Sequence, residues 1–256
     1  MKIKCKDKSF PTEDVNRFLL SKKNLVENGE DKISGTLTAF ARKGDGLVAL
    51  TAQHVLTTPE GEYAGDQYIF SEASHETILL SKCHFGIHGK RNVQFATGEK
   101  SVYIDIAEMP LSFNLLKKHN VTLEDPLSIA KVVEGSRVSK KGAVTGVRYG
   151  KVFDSFFYLH PIKRKGAVFV VEPDPGKTFS ESGDSGSLIL DEYGKAIGIL
   201  HGLVEVSGKI LSACVWIDCC LEALQTKFQC DYQLYRRAKI ETAEESSWLS
   251  QEDLLT

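Results

Sequence analysis

Three short segments carry residues that could act together on an acyl group. His54 ends the run Thr51-Ala52-Gln53-His54, and Asp105 stands in Tyr103-Ile104-Asp105-Ile106-Ala107. Ser185 stands in Ser182-Gly183-Asp184-Ser185-Gly186-Ser187, just ahead of the apolar Leu188-Ile189-Leu190. A serine hydroxyl is a weak nucleophile at neutral pH and needs a neighbouring base. Histidine can take that proton and later return it to a leaving group. A carboxylate behind the imidazole fixes its tautomer and stabilises the imidazolium. Glycine at 183 and 186 permits a tight turn around the nucleophile, so the N–H groups of Gly183 and Ser185 can face a developing oxyanion. Singly, each segment has an ordinary explanation: a strand-end histidine, an edge aspartate, a loop made of turn formers. Order combines them. The sequence runs His, Asp, Ser, with separations of 105 − 54 = 51 and 185 − 105 = 80 residues. That order and spacing suit a fold in which one β-barrel supplies base and acid and the next supplies the nucleophile.

On these motifs the chain resembles the trypsin/chymotrypsin family, over residues 33–229. Thr-Ala-Gln-His is similar to that family's Thr/Ser-Ala-Ala-His box, Asp105-Ile106-Ala107 to its Asp-Ile-Ala box, and Gly183–Ser187 to its Gly-Asp-Ser-Gly-Gly box. The resemblance implies an all-β fold of two antiparallel barrels, a triad of His54, Asp105 and Ser185, and an oxyanion hole from the backbone of Gly183 and Ser185. It implies no cofactor and no metal. Departures matter too. Val55 stands where digestive members have a cysteine, and no cysteine lies between 84 and 213 to brace the nucleophile loop. No Ile-Val-Gly-Gly-type N-terminus precedes the first strand, so Asp184 needs another partner, a lysine or backbone N–H groups.

Six residues before Ser185, where trypsin-like members place an aspartate, this chain has Phe179. A cationic P1 side chain would lose its counter-ion there at a large desolvation cost. The strand Ala196–Gly202 is similar to the pocket-wall strand of Glu- and Gln-cleaving relatives, with Leu200 at the place of their histidine and His201 next to it. Phe179, Leu200, His201 and Gly202 are therefore the expected substrate-binding residues. The favoured expectation is an apolar P1 pocket with His201 packed toward Asp105. The rival is Gln or Glu read by His201 after a one-residue slip, which would exchange the two faces of the strand.

Composition bounds the rest. The chain has 256 residues, 42% of them hydrophobic, and a formal net charge of −2. That supports a sizeable core and gives no electrostatic case for nucleic-acid binding. No apolar run has the length of a membrane span, and Met1–Phe10 lacks the apolar stretch of a signal peptide. An intracellular, cytoplasmic location with all six cysteines reduced is expected. Cys83, His84 and His88 lack a fourth ligand at telling spacing and read as a surface loop. Arg137, Lys140, Lys141, Arg148 and Lys151 read together as a solvated hairpin edge.

Residues 1–32 read as an N-terminal extension, with helical spacing of Val15, Phe18 and Leu19 within 11–28. Residues 33–230 read as the barrel domain, with barrel 1 over about 33–115, barrel 2 over about 125–217 and a helix over 218–228. Residues 231–256 read as an acidic, mobile tail, with Trp248, Leu249, Leu254 and Leu255 offering a docking motif for a protein partner. Two functions follow: a serine endopeptidase acting on proteins or peptides, or a pseudoprotease or adaptor that uses the same barrels for binding. A cysteine-type protease is excluded, because position 185 is serine.

Overall fold

The computed structural model describes residues 18–21, 35–57, 67–71, 76–81, 84–111, 115, 119–158 and 166–242. The architecture is all-β, as expected. Strands β2 (Ala39–Lys43) and β3 (Gly46–Thr51) form a hairpin closed through Gly44 and Asp45. Strand β7 (Gly98–Pro110) pairs with β3 on one side and with β6 (Phe85–Phe95) on the other. Buried on both sides, β7 is continuously apolar from Val102 to Ala107 except for Asp105. An alternating strand would have placed one face in water. Strands β1 (Phe18–Ser21), β4 (Gln67–Ser71) and β5 (Glu76–Ser81) form a separate three-stranded sheet. The helix expected over 11–28 is therefore corrected at Phe18–Ser21, where a ladder to β4 wins over helical spacing. The rest of that expectation lies outside the described residues.

The second half closes on itself as a six-stranded barrel. Its strands are β9 (Arg137–Gly142), β10 (Gly146–Tyr158), β11 (Ala167–Pro173), β12 (Leu188–Asp191), β13 (Ala196–Val206) and β14 (Lys209–Trp216). The order is β10-β9-β12-β13-β14-β11, closed by the β10–β11 pairing. Strands β9 and β10 form a hairpin across the three-residue turn 143–145. A parallel contact of β11 with β7, Ala167 opposite Val102, joins the two halves. The helix α1 (Ile217–Phe228) buries Ile217, Cys220, Leu221 and Leu224 and ends on a left-handed Gln229. Its C-terminal turn is strapped to β6, with Arg91 bonded to Thr226 and Lys227 to the Gly86 carbonyl.

The chain does not become a tail at residue 231. Tyr232–Thr242 form a further strand, β15, which pairs with β2 and with β8 (His119–Pro126). Alternation explains it: Tyr232, Leu234 and Ala238 face the core while Gln233 faces water. The acidic stretch beyond 242, with its docking motif, lies outside the described residues. Cys214, Cys219, Cys220 and Cys230 are free thiols. No helix among the described residues is long and apolar enough to cross a membrane.

Candidate active site

His54 lies in a short 3-10 turn, Gln53–Leu56, immediately after β3. Val55 and Leu56 are buried and anchor the turn, leaving the imidazole partly exposed at the junction of the two halves. The neighbouring β7 presents Asp105. The His54 Nδ1 is 2.6 Å from Asp105 Oδ2, and the His54 backbone N–H donates to Oδ1 at 3.1 Å. His201 Nδ1 is also 2.6 Å from Asp105 Oδ2. Burial alone would raise the Asp105 carboxyl, but the hydrogen bonds from His201 and His54 outweigh it and hold the group well below the usual carboxylate range.

The bond to His201 has a cause in the backbone. Leu200 pairs with Cys214 and Gly202 with Ala213, so His201 is the extra residue of a β-bulge in β13. A bulge re-aims a side chain that strict alternation would place elsewhere. The His201 ring lies 5.0 Å, edge-on, from the rings of both His54 and Tyr103. His54, Asp105 and His201 have the donor types of a metal site. Their 2.6 Å separations are those of hydrogen bonds, whereas ligands around a tetrahedral zinc stand about 3.3 Å apart.

Ser185 occupies the turn between the two left-handed glycines, Gly183 (φ 95°) and Gly186 (φ 92°). A Cβ on Gly186 would stand 2.1 Å from the Thr36 carbonyl, so both backbone angle and space demand glycine. The loop is clamped from the first half. The Thr36 N–H donates to the Ser185 carbonyl, Thr36 Oγ1 to the Gly183 carbonyl and Thr38 Oγ1 to the Gly186 carbonyl. Neither the Gly183 nor the Ser185 N–H is taken by a protein acceptor among the described residues. The Ser185 hydroxyl donates to the His201 carbonyl at 3.3 Å rather than to His54.

Asp184 is fully buried and found its lysine. Lys140 Nζ is 2.6 Å from Asp184 Oδ2, and both side chains are 0% exposed. Thr145 Oγ1 donates to Oδ2 at 2.6 Å, and the N–H groups of Val144, Thr145 and Glu181 complete the shell. Burial would raise the Asp184 carboxyl, but Lys140 and Thr145 bring it below its ordinary value. Gly142 makes room, since a Cβ there would meet Asp184 Oδ1 at 2.3 Å. Lys140 therefore leaves the solvated basic edge assigned to it. The signal was present in the alternation of β9, where Val138, Lys140 and Gly142 share the inward face. Thr36, Thr38 and Thr145 carried no comparable mark.

Phe179 and Leu200 are buried, 2% and 1% exposed. Between Phe179 and the loop, Ser180 Oγ and Ser212 Oγ form a buried hydrogen bond of 2.6 Å. Gly202 has open space beside its α-carbon. On the far side of β7, Glu108 is buried and bonded by Lys43 and by the Tyr232 hydroxyl of β15.

Solved structures share this architecture. The HtrA-type protease AlgW aligns with a TM-score of 0.53 and 14% identity, over 83% of this chain and 60% of that one. A glutamic acid-specific serine protease with a histidine triad in substrate binding aligns at 0.51 and 16%, over 86% and 98%. The chymotrypsin of Cellulomonas bogoriensis aligns at 0.50 and 12%, over 86% and 97%. No protein-family model and no curated relative matches the sequence. At these identities the likeness is one of fold, that of the trypsin/chymotrypsin-like serine proteases.

Proposed function

We propose that this chain is a serine endopeptidase that cleaves proteins or peptides through an acyl-enzyme, with His54, Asp105 and Ser185 as its triad. The observation that carries the reading is the His54–Asp105 pair, bonded through both ring and backbone, beside a nucleophile loop whose Gly183 and Ser185 N–H groups have no protein acceptor. In the proposed first step the Ser185 hydroxyl turns from the His201 carbonyl toward His54 Nε2. His54 Nε2 takes the proton as Ser185 Oγ bonds the scissile carbonyl carbon, and the two N–H groups receive the oxyanion. The imidazolium then gives that proton to the leaving amine as the C–N bond breaks. Water, deprotonated by the same nitrogen, releases the acyl group and restores the serine. No cofactor is needed.

Substrate binding has a natural track. Beyond Leu200, β13 pairs with β14 alone among the described residues, so its other edge is the proposed track for an extended peptide added as a strand. Phe179, Ser180 and Ser212 supply no carboxylate, so a cationic P1 group gains nothing to offset its desolvation. An uncharged P1 residue, Leu foremost, fits this set; Phe179, Leu200 and Gly202 are its proposed contacts. With Nδ1 held by Asp105, His201 would read a Gln or Glu side chain through Nε2. Cleavage of a peptide library after Glu or Gln, lost in His201→Ala, would overturn the apolar assignment.

The second reading, a protein-binding pseudoprotease, is favoured by one observation: the Ser185 hydroxyl rests on His201 and not on His54. A fluorophosphonate reagent separates the two. It is expected to label the wild type at Ser185 and to leave folded Ser185→Ala unlabelled. A well-folded wild type that resists labelling would establish the pseudoprotease.

A further inference from the structure

The carboxylate of Asp105 serves two imidazoles, and the mechanism above uses only one of them. Oδ1 accepts the His54 backbone N–H, while Oδ2 lies 2.6 Å from the Nδ1 atoms of both His54 and His201. An ionised carboxylate only accepts hydrogen bonds, so each Nδ1 at that distance carries its proton toward Asp105. Both histidines are thereby held in one tautomer, with Nε2 as the open position. Asp105 is fully buried and His201 is largely so. A lone hydrogen-bond partner would leave the carboxylate free to rotate about its Cβ–Cγ bond. Two partners on one oxygen and a third on the other fix its plane. The groups facing His201 are His54, Asp105, Tyr103 and Ser185, and its ring is wedged edge-on between those of His54 and Tyr103.

Backbone geometry shows that this placement is built in. His201 is the extra residue of the β13 bulge, and its own carbonyl accepts the Ser185 hydroxyl. One residue thus reaches both the acid and the nucleophile, from opposite ends.

We infer that His201 is a positioning residue of this active site: its imidazole is a second tether on Asp105, and its carbonyl is the resting place of the Ser185 hydroxyl. The inference rests on the endopeptidase reading for its effect on rate, but not for the tether itself. The tether commits Nδ1 to Asp105 and leaves Nε2 as the ring nitrogen open to a P1 side chain. The tether fixes the direction of His54 without touching the reacting atoms. Its loss should therefore lower kcat and leave KM in place.

Proton NMR of the full chain tests the tether without any turnover. Two imidazole N–H resonances far downfield of the amide envelope are expected in the wild type, as for short bonds to a carboxylate. His201→Ala should remove one and His54→Ala the other. Turnover of a peptide substrate tests the consequence. His201→Ala is expected to lose roughly 10- to 100-fold in kcat with KM within about two-fold, the scale of one hydrogen bond to a charged group. His201→Asn, which keeps a donor, should retain more. His201→Gly should regain rate when imidazole is added to the solution, which a merely structural role would not allow. If a variant does not fold, the wild-type spectrum alone still counts the bonds. A single downfield proton in the wild type, or an unchanged kcat in folded His201→Ala, would overturn the inference. An inert wild type with both protons present would instead overturn the endopeptidase reading and leave the tether standing.

Discussion

Replacing Lys140 by methionine removes one ammonium and leaves most of its apolar stem. In the native protein that ammonium lies 2.6 Å from Asp184 Oδ2 and 2.5 Å from Thr145 Oγ1, with no exposure to water. The variant strands a buried carboxylate. Breaking a buried pair by deleting one partner costs about 3–5 kcal/mol. Asp184 keeps four donors, Thr145 Oγ1 and the N–H groups of Val144, Thr145 and Glu181. The loss should therefore fall at the lower end, about 3 kcal/mol. At about 2–4 °C per kcal/mol for a domain of this size, Tm should drop by about 6–12 °C. Asp184 sits between the two N–H groups of the proposed oxyanion hole, so fluorophosphonate labelling should slow as well. The double variant Lys140→Met/Asp184→Asn no longer buries a charge and should recover part of the lost stability. Thermal melts of the three proteins decide the matter. A Lys140→Met variant that melts within about 1 °C of the wild type would refute the reasoning, as would a double variant less stable than Lys140→Met alone.

Three further outcomes follow from the same geometry. His54→Ala and Asp105→Asn should each reduce turnover by about 10⁴-fold, and the double variant should be little worse than either, because the residues act as a unit; additive losses measured in kcat would dissolve the triad. Asp105 and Asp184 both titrate below the unfolded value of about 3.9, so the unfolded chain binds more protons in that range. Their stabilisation is present above that pH and is lost as pH falls through the folded values. Urea midpoints from pH 6 to pH 2 should decline, and less steeply in Asp184→Asn. Tyr232→Phe takes a donor from the buried Glu108 and should cost about 1–3 kcal/mol in a denaturant melt; an unchanged midpoint would show that β15 is not anchored there.

The proposed triad positions stand out in the sequence because each sits in a motif whose residue types answer one chemical need. The hydrophobic pattern alone marks β7, β11, β13 and β14 as strands, since each holds a long apolar run. It failed where structure is set by distant partners. β15 reads as a polar, charged segment, and only its pairing with β2 and β8 makes it a strand. β6 was hidden by its Gly, Lys, Arg and Asn content, since one of its faces looks outward. Lys140 was misread because charge was weighed above the period-two position it occupies. His201 lies toward Asp105, as the favoured reading of its strand expects, but no local residue announces the bulge that aims it there. The lysine partner of Asp184 was anticipated as a class, but nothing in the spacing singled out which lysine.

The pairing of β15 with β2 also sets an order of events during synthesis. The outer edge of β2 has its ladder partner at residues 232–235, almost two hundred positions later in the chain. The clamp of Thr36 and Thr38 on the nucleophile loop spans 147 and 148 residues. Both are contacts of high sequence separation, which are slow to form and must await the later segments. A nascent chain still on the ribosome thus has His54 and Asp105 before it has Ser185, and Ser185 before β15 can pair with β2. The candidate site is therefore incomplete in any chain not yet made past Ser185, and the edge of β2 stays uncovered until β15 is available.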